Sequence, residues 1–417
     1  MSIISNLIKD NLQGIKKGLP CFCTSNELVI DSILNFASVE QLPVVIEATC
    51  NQVNQYGGYS GKTPLEFKNW LHKLAEKHGV LSENLILGGD HLGPNPWKSE
   101  SIDTAMDKAR TMVMQYVEAG FTKIHLDASM ACGGEPHPTF EQVAERSADL
   151  CAMAEAHAPD PTKLTYIIGT EVPIPGGEKE DLDVLAVTST EKLDETIQSH
   201  KVAWEKRGLT NAWGRIKSVV VQPGVDFGHT RVYPYEPKKS ERLCQSIHNY
   251  NGITFEAHST DYQSNEALSQ LVDGHFFFLK VGPELTFRFR EAIWSLAEIV
   301  KKISSFNDKN IQQVILDRMN LNPEHWQDYY TGTEYELEKM KIYSYSDRIR
   351  YYWGYPDVNE SLNSMFETLS DIAIPENLIS QYFMGLEFGN FPSSAQGLIQ
   401  THVLKCVKRY YSACGML

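Results

Sequence analysis

Short apolar runs alternate with longer segments in which apolar positions recur every three or four residues, over about the first 300 residues of the chain. The runs are short and rich in β-branched and aromatic residues, so they predict strands rather than helices. Most lack a polar alternation, which indicates burial on both faces, as in a parallel sheet covered by helices. The predicted strands are 19–23, 42–49, 85–90, 123–127, 164–171, 217–223, 253–258 and 276–282.

A helix is predicted after each strand. Pro64 and Glu66 mark the start of one of them, because proline suits the first turn of a helix and an acidic side chain suits its amino end. The predicted helices begin near 25 or 26 and then cover 63–77, 101–119, 139–156, 189–206, 237–248, 265–271 and 285–303. Eight strand–helix units of this length predict an α/β fold, the (β/α)8 TIM barrel. A doubly wound open sheet is the competing architecture, but no G-x-G-x-x-G motif follows the first strand.

The last quarter of the chain has a different pattern. From about Asn307 the apolar positions follow a helical period and no convincing strand is found. The sequence therefore predicts two parts, a barrel over residues 1–306 and a C-terminal helical extension over residues 307–417.

Composition and charge exclude several classes of protein. Hydrophobic residues make up 42% and charged residues 22% of the 417 residues, as in ordinary globular proteins. The formal net charge is −15 and no dense basic stripe is present, which argues against nucleic-acid binding. No apolar run reaches the roughly 20 residues that cross a bilayer, and the amino end lacks the apolar core of a signal peptide. The eight scattered cysteines are expected to be reduced thiols, so we expect a cytoplasmic protein.

Polar side chains stand at the predicted strand ends, where a (β/α)8 barrel collects its chemistry. These residues are Glu47, Asp90, His91, His125, Asp127, Glu171, Gln222, His258 and Lys280. Imidazole and carboxylate groups are ligands of Zn²⁺, and a catalytic zinc keeps three protein ligands. His91, His229 and His258 each follow a strand and are the predicted metal ligands. Asp90 and Glu171 are the predicted catalytic carboxylates, suited to proton transfer beside a metal-polarised sugar carbonyl.

Several of these positions have two interpretations. His125 and Asp127 lie one strand period apart, so they form either a buried hydrogen-bonded pair or part of the site. The segment 51–61, which includes Asn51 and Gln52, is either a ligand-binding loop or a solvated one. The segment 174–181 is either a glycine-hinged lid or an acidic turn. Three glycines either permit a bent backbone close to a ligand or form a plain turn: Gly88, Gly89 and Gly93.

Long motifs from about residue 18 to the C-terminus resemble the GatZ/KbaZ family, the Z subunits of bacterial D-tagatose-1,6-bisphosphate aldolase. The motifs are IEATCNQVNQYGGYSG, LGGDHLGPNPW, KIHLDASM, IGTEVPIPGGE, VVQPGVDFGH, EAHSTDYQ, LKVGPELTFRFREA and YSYSDRIRYYW. The resemblance implies a subunit without aldolase activity of its own that the catalytic Y subunit (GatY/KbaY-like) needs for full activity and stability. It also implies a role in galactitol or N-acetylgalactosamine catabolism, with the GatZ branch favoured. The family has also been described as tagatose-6-phosphate kinases, but this sequence has no G-x-x-x-x-G-K-[ST] phosphate-binding motif.

The Y subunit is a class II zinc aldolase, and part of that superfamily's pattern is similar to this chain. The similarity implies proton transfer by Asp90, zinc ligation by His91, His229 and His258, and a glutamate before a glycine lid at Glu171. The site is then either the active or the vestigial form of a metal–sugar site, with Zn²⁺ as its cofactor. The predicted substrate-binding residues are Glu47, Asn51, Gln52, His125, Asp127, Gln222, Ser259, Asp261 and Lys280.

Two departures from the class II pattern place phosphate binding in doubt. Where that pattern wraps a phosphate with small residues, Asp261 would repel the dianion by roughly 1 kcal/mol at 4 Å even in water. Gly282 stands where the pattern has a substrate-binding asparagine.

The leading hypothesis is therefore a non-catalytic, stabilising subunit of an oligomeric class II aldolase complex. The aromatic-rich segment 343–353 is either its docking surface or a part packed under the barrel. The alternative is an autonomous metal-dependent enzyme that epimerises or cleaves ketohexoses or their phosphates at the site of Asp90, His91, His229 and His258.

Overall fold

The computed structural model describes residues 3–170, 185–303, 310–370 and 372–417. Ten strands lie within these residues. In chain order they are β1 Leu19–Cys23, β2 Val44–Thr49, β3 Leu85–Leu92, β4 Lys123–Leu126, β5 Thr165–Ile168, β6 Ile216–Val220, β7 Asp226–Phe227, β8 Val232–Tyr233, β9 Thr254–Ala257 and β10 Phe276–Val281.

Eight of these strands close into a parallel barrel in the order β1-β10-β9-β6-β5-β4-β3-β2. The strands β7 and β8 form a separate antiparallel pair in the connection after β6. The predicted (β/α)8 barrel is thus confirmed, and each predicted strand overlaps a barrel strand. The third strand extends to Leu92, two residues beyond its predicted end, and its register with β4 shifts between Gly89 and Leu92.

Helices cover the outside of the barrel and connect its strands. Up to residue 303 they are α1 Ile3–Leu12, α2 Glu27–Val39, α3 Pro64–His78, α4 Ile102–Ala119, α5 Phe140–His157, α6 Thr190–Lys206, α7 Thr210–Trp213, α8 Pro237–Ser246, α9 Asn265–Asp273 and α10 Pro283–Ile303. Local sequence sets their starts. In α3, the Thr63 side chain accepts from the Glu66 backbone N–H while the Glu66 carboxylate accepts from the Thr63 backbone, which satisfies two amino-terminal donors.

The helix α1 closes the end of the barrel at which the strands begin. Ile4 and Ile8 of this helix pack on inward-facing side chains of the strands. Those side chains are Leu19, Cys21, Val45, Ile86, Ile167, Val220, Phe277 and Phe278. This end of the barrel interior is therefore a dry apolar core, and the polar strand ends lie at the opposite mouth.

The described part of the predicted extension is helical and contains no strand. Its helices are α11 Ile311–Leu321, α12 Glu334–Tyr343, α13 Pro356–Ser370, α14 Glu376–Tyr382 and α15 Ala395–Ala413. The last helix packs on α2, α9 and α10, where Tyr411 Oη donates to the carbonyl of Pro43 at 2.9 Å. One continuous apolar cluster joins these helices to the barrel. In the described residues, no helix combines the length and apolar character needed to cross a membrane.

Candidate metal centre at the barrel mouth

The barrel interior changes from apolar to charged about halfway along the strands. Lys123 of β4 is completely buried, and its Nζ lies 2.7 Å from Glu47 Oε1 and 2.6 Å from Glu256 Oε2. Both glutamates are also completely buried. Taking charges out of water costs several kcal/mol per ion unless pairing compensates for it, so these groups hold one another in place.

Four buried residues, one of which is Glu256 of this layer, form a potential metal-binding cluster, which we call the quartet. Its members are Asp90, His125, Glu256 and His258, and one ligand atom from each lies within 4.8 Å of the others. His125 Nδ1 lies 2.8 Å from Asp90 Oδ1 and 3.1 Å from the backbone nitrogen of His91. The tautomer that donates Nδ1–H to Asp90 has its lone pair on Nε2. This buried Nε2 has no hydrogen-bond partner among the described residues. Two imidazoles, two carboxylates and an unpartnered nitrogen fit a divalent cation such as Zn²⁺.

His91 lies beside the quartet in a strained backbone conformation. Its φ of 48° is unusual for a residue other than glycine, and such strain collects at functional sites. Its Nδ1 is 2.8 Å from Asp127 Oδ2, and its ring centre is 4.8 Å from that of His258 and 5.1 Å from that of His125. Burial opposes its charge, but the carboxylates of Asp90 and Asp127 outweigh burial and raise the pKa of His91 to about 9. The imidazole rings of His91, His125 and His258 therefore lie together beside the two carboxylates of the quartet.

The carboxylates of the centre are held ionised. Burial opposes the charge of Asp90, but His91, His125 and His258 outweigh it and hold its pKa well below the ordinary value. Burial also opposes the charge of Glu256, but Lys123 and His258 outweigh burial and lower the pKa of Glu256 to about 2. Both carboxylates of the quartet are therefore ionised at neutral pH, which is the form that binds a cation.

Lys280 at the end of β10 connects the quartet to the buried ion pairs. Its Nζ donates a hydrogen bond to Glu47 Oε2 and lies 2.8 Å from Asp90 Oδ1. Burial lowers its pKa. Cys23 Sγ lies 3.3 Å from Asp90 Oδ2, and Cys23, Glu47 and Asp90 form a second, smaller group of possible ligands.

The glycines of the LGGDHLG segment make room for the protein's own groups. A Cβ atom on Gly88 would stand 2.6 Å from Glu47 Cγ, and one on Gly93 would stand 1.6 Å from the carbonyl oxygen of Asp127. Neither distance is possible, so glycine at these positions admits the buried glutamate and the close approach of β3 to β4. This close approach brings Asp90 and His91 up to His125 and Asp127.

One cavity at the mouth collects many of the residues predicted from sequence. The predicted residues that line it are Asn51, Gln52, Asp90, His91, His258, Ser259, Asp261 and Lys280. The 51–61 loop also contributes Tyr59, and Arg350 and Tyr351 come from the C-terminal extension. The aromatic segment 343–353 is thus largely packed at the barrel mouth, where Ile349 and Tyr352 are buried.

A carboxylate from the loop after β9 binds the backbone N–H groups that follow β10. Asp261 Oδ1 accepts hydrogen bonds from the backbone N–H groups of Gly282 at 3.0 Å and Glu284 at 2.8 Å. Burial, which the nearby Glu284 charge reinforces, raises the pKa of Asp261 to about 7. Barrel enzymes often bind a substrate phosphate with backbone N–H groups of this region, and here the protein's own side chain occupies them.

Other predicted residues lie elsewhere. Glu47 pairs with Lys123 and Lys280 below the cavity, and Gln222 Oε1 accepts from the backbone of Gly224 at 2.8 Å. His229 lies among residues of the extension, with Nδ1 3.2 Å from Ser344 Oγ and Nε2 3.1 Å from the Tyr329 carbonyl.

The placement of His229 argues against its predicted role as a metal ligand. The strand pair β7 and β8 turns the chain away from the barrel axis after β6, and the Tyr345 N–H donates to the His229 carbonyl at 2.9 Å. Glu171 and the predicted lid 174–181 lie outside the described residues.

Sequence reasoning missed several residues of the centre. Glu256 stands two residues before His258, and Lys123 two residues before His125, so strand periodicity places each pair on one face. That signal was available for both. Arg350 and Tyr351 carried no such signal, because their position depends on how the extension packs over the mouth.

Comparisons with known proteins agree with this architecture. A family model described as "D-tagatose-1,6-bisphosphate aldolase subunit GatZ/KbaZ-like" matches residues 4–415. A crystal structure described as a probable tagatose 6 phosphate kinase from Sinorhizobium meliloti 1021 is 40% identical, with a TM-score of 0.88, and the match covers 95% of this chain and 100% of that one.

More distant matches are aldolases. The fructose-bisphosphate aldolase of Campylobacter jejuni is 14% identical, with a TM-score of 0.48 over 89% of this chain and 96% of that one. The YdjI aldolase of Escherichia coli K12 is 11% identical, with a TM-score of 0.43 over 87% of this chain and 96% of that one. Since the family model spans nearly the whole sequence, the chain belongs to the GatZ/KbaZ-like family of D-tagatose-1,6-bisphosphate aldolase subunits.

Proposed function

We propose that this chain is a metal-dependent enzyme that epimerises or cleaves ketohexoses or their phosphates at the quartet. The observation that carries the proposal is the buried set of Asp90, His125, Glu256 and His258, with an unpartnered imidazole nitrogen. Asp90 and His258 also line the cavity, so the same groups are open to a ligand.

The energetics of the barrel interior support a functional site. Replacing buried ion pairs by well-packed apolar residues is often neutral or stabilising by about 1–4 kcal/mol. A subunit that served only to stabilise a partner would gain from an apolar interior at both ends of its barrel. This chain instead keeps Glu47, Lys123 and Glu256 buried in ion pairs beneath the cavity, and Lys280 buried in the cavity wall. Such an arrangement is typical of a site that binds a charged or strongly polar ligand.

The chemistry that suits these residues is retro-aldol cleavage of a ketose. A divalent metal held by the quartet would polarise the ketose carbonyl and stabilise negative charge on its oxygen. Asp90 accepts the proton of the C4 hydroxyl, the C3–C4 bond breaks, and its electron pair passes through C3 and C2 to the carbonyl oxygen. The products of this step are an aldehyde and an enediolate.

The fate of the aldehyde decides the net reaction. If the aldehyde turns its opposite face to C3 before the bond re-forms, Asp90 returns the proton to the aldehyde oxygen and the product is the C4 epimer. If the aldehyde leaves, Asp90 passes the proton to C3 and the net reaction is cleavage. Lys280 lies 2.8 Å from Asp90 and stabilises the ionised carboxylate before each cycle.

The second candidate function is that of a stabilising, non-catalytic subunit of a class II D-tagatose-1,6-bisphosphate aldolase in galactitol or N-acetylgalactosamine catabolism. The description of the family as an aldolase subunit favours it. Its test is co-expression with the catalytic Y subunit: this function requires that the Y subunit lose activity and thermal stability when this chain is removed.

Phosphoryl transfer, which the name of the S. meliloti protein suggests, has less support in this chain. Gly61, Lys62 and Thr63 precede α3, but Tyr56 stands where a phosphate-binding loop requires its first glycine. The Thr63 hydroxyl accepts the backbone N–H of Glu66 as a helix cap.

The experiment is an assay of the purified chain with Zn²⁺ or Mn²⁺ on D-fructose, D-tagatose, their 6-phosphates and their 1,6-bisphosphates. We expect metal-dependent formation of the C4 epimer or of cleavage products, lost in His125→Ala and retained in the exposed control His137→Ala. Absence of turnover in every arm, with metal bound, would contradict the enzyme proposal.

A further inference from the structure

Among the described residues, the backbone N–H groups after β10, where such folds often bind an anion, are already used within the protein. The N–H groups of Gly282 and Glu284 already donate to Asp261, whose carboxylate occupies the space of an incoming oxyanion. An anionic group carried by a substrate must therefore be bound by other groups. A positively charged side chain at the cavity is well suited to that role, because its hydrogen bonds to an oxyanion are charge-assisted.

In the described part of the chain, the lysine and arginine that line the cavity are Lys280 and Arg350. Lys280 is engaged with Glu47 and Asp90. Arg350 is half-buried and makes no ion pair with a carboxylate of the described residues. Its nearby acidic residue, Asp347, instead accepts from Arg290 Nε at 3.0 Å. Arg350 is thus a cation at the mouth whose charge the described carboxylates do not pair.

The guanidinium of Arg350 is fixed in place before any ligand arrives. Nη1 donates to the carbonyls of Ser346 and Asp347, the latter at 3.1 Å, and Nη2 donates to Tyr351 Oη at 3.0 Å. The Tyr351 ring in turn packs edge-on against Tyr59, with ring centres 4.5 Å apart. A guanidinium held in this way loses little conformational freedom when it binds an oxyanion.

We propose that Arg350 binds a terminal oxyanion of the substrate, a phosphate or a carboxylate at the end of the ketose remote from its carbonyl. The C-terminal extension thereby supplies the anion-binding group, and Arg350 determines the specificity for charged over neutral ketoses. This inference rests on the proposed function for its choice of ketose.

The test compares the full-length chain with its Arg350→Met and Arg350→Lys variants, each loaded with Zn²⁺ or Mn²⁺. Calorimetric titration measures the Kd of D-fructose 6-phosphate, of the corresponding 6-carboxylate and of D-fructose. Steady-state kinetics measure KM and kcat for the same compounds. Arg231→Met, at an exposed position, is the matched control.

We expect Arg350→Met to weaken binding of the charged ketose by about 10- to 100-fold, the range expected for lost charge-assisted hydrogen bonds. Arg350→Lys keeps the charge but not the planar fork, so its loss is expected to be smaller. Binding of D-fructose stays within about threefold, and the effect on turnover falls on KM rather than kcat. The charged compound that shows this dependence identifies the anion as phosphate or carboxylate.

Equal losses for charged and neutral ketoses, or no loss for either anion, would overturn the inference. If Arg350→Met does not fold, the lysine variant decides by the same ratio of charged to neutral affinity. Arg350-dependent binding without any turnover would contradict the proposed enzyme and leave this inference standing. Turnover of a charged ketose with an unchanged KM in the Arg350 variants would support the proposed enzyme and contradict the role of Arg350.

Discussion

The two ends of the barrel interior are built on opposite principles. At the end where the strands begin, α1 places Ile4 and Ile8 on an apolar layer that includes Val45 and Phe278. At the end where the strands finish, the interior holds carboxylates, lysines and imidazoles in contact. Lys123 marks the boundary, since its Nζ is 4.6 Å from the centre of the Phe278 ring on one side and pairs with Glu256 on the other.

This difference separates stability from function within one fold. Burial of apolar surface stabilises the lower end by roughly 25 cal/mol per Å², without directional requirements. The upper end includes strained backbone, with positive φ at His91, Ser259 and Tyr262, although Gln41 and His275, which precede β2 and β10 at the lower end, also have positive φ. Such strain persists only where the surroundings enforce it. The lower end therefore contributes stability, and the upper end carries the groups on which the proposed function depends.

The largest effect is expected from Asp90→Asn at the upper end. The change removes a proton acceptor and a member of the quartet while preserving shape, so turnover should fall by about 10²- to 10⁴-fold. Steady-state kinetics on the ketose substrate, with circular dichroism as the folding control, measures it. Turnover within a fewfold of the unmodified chain would remove Asp90 from the chemistry.

At the lower end, Ile167→Ala should reduce stability without reducing the turnover of folded molecules. Ile167 is completely buried, and truncation of such a side chain costs about 2–5 kcal/mol. Chemical denaturation measures the free energy of unfolding, with Ile167→Val as the matched control at about 0.5–1.5 kcal/mol. If Ile167→Ala lost as much turnover per folded molecule as Asp90→Asn, the lower end would also be needed for turnover, and the proposed division between the two ends would be wrong.

Metal removal should lower the free energy of unfolding, because the quartet at the upper end loses its ligand. A metal present at 100 times its Kd stabilises the folded chain by about 2.7 kcal/mol, so chelation should lower Tm by several degrees. His125→Ala should show no such response, because it removes the unpartnered nitrogen. A response to chelator of equal size in His125→Ala would place the metal elsewhere.

A smaller effect is expected for Asp261→Asn, as a change in pH dependence. Since burial raises the folded-state pKa of Asp261 to about 7, the folded chain binds its proton more tightly than the unfolded chain. The resulting stability is complete below about pH 4 and is lost as the pH rises towards 7, with a slope of up to about 1.4 kcal/mol per pH unit.

Asparagine keeps a neutral acceptor for the two N–H groups, so the variant should lack this slope. Denaturation at a series of pH values between 4 and 8 measures the difference, with the exposed Asp328→Asn as control. Parallel stability curves for Asp261→Asn and the unmodified chain would show that this carboxyl is not protonated in the fold.

The barrel could be predicted because its strands are buried on both faces, which leaves an unbroken apolar signal. The first strand, Leu19–Cys23, was predicted at its observed bounds, and β10 differs by one residue. The cluster around Asp90, His91 and His258 could be predicted for a related reason, because parallel strands bring their carboxyl ends to one mouth.

The rest depended on contacts that no local pattern contains. His229 follows a strand, yet the β7–β8 pair carries it to the extension. Arg350 lies at the cavity where the extension packs over the mouth, and its neighbour Tyr351 contacts Tyr59, nearly three hundred residues earlier in the chain. Glu256 differs from these two, because its spacing of two residues from His258 places both on one face of the strand in the sequence alone.

A crystal structure of the full-length chain grown with Zn²⁺ or Mn²⁺, with anomalous scattering measured at the metal edge, tests directly whether the quartet binds a metal. We expect a single strong peak at the barrel mouth, within coordination distance of Asp90, His125, Glu256 and His258. A peak between other residues, or none at the quartet in metal-saturated crystals, would contradict this expectation.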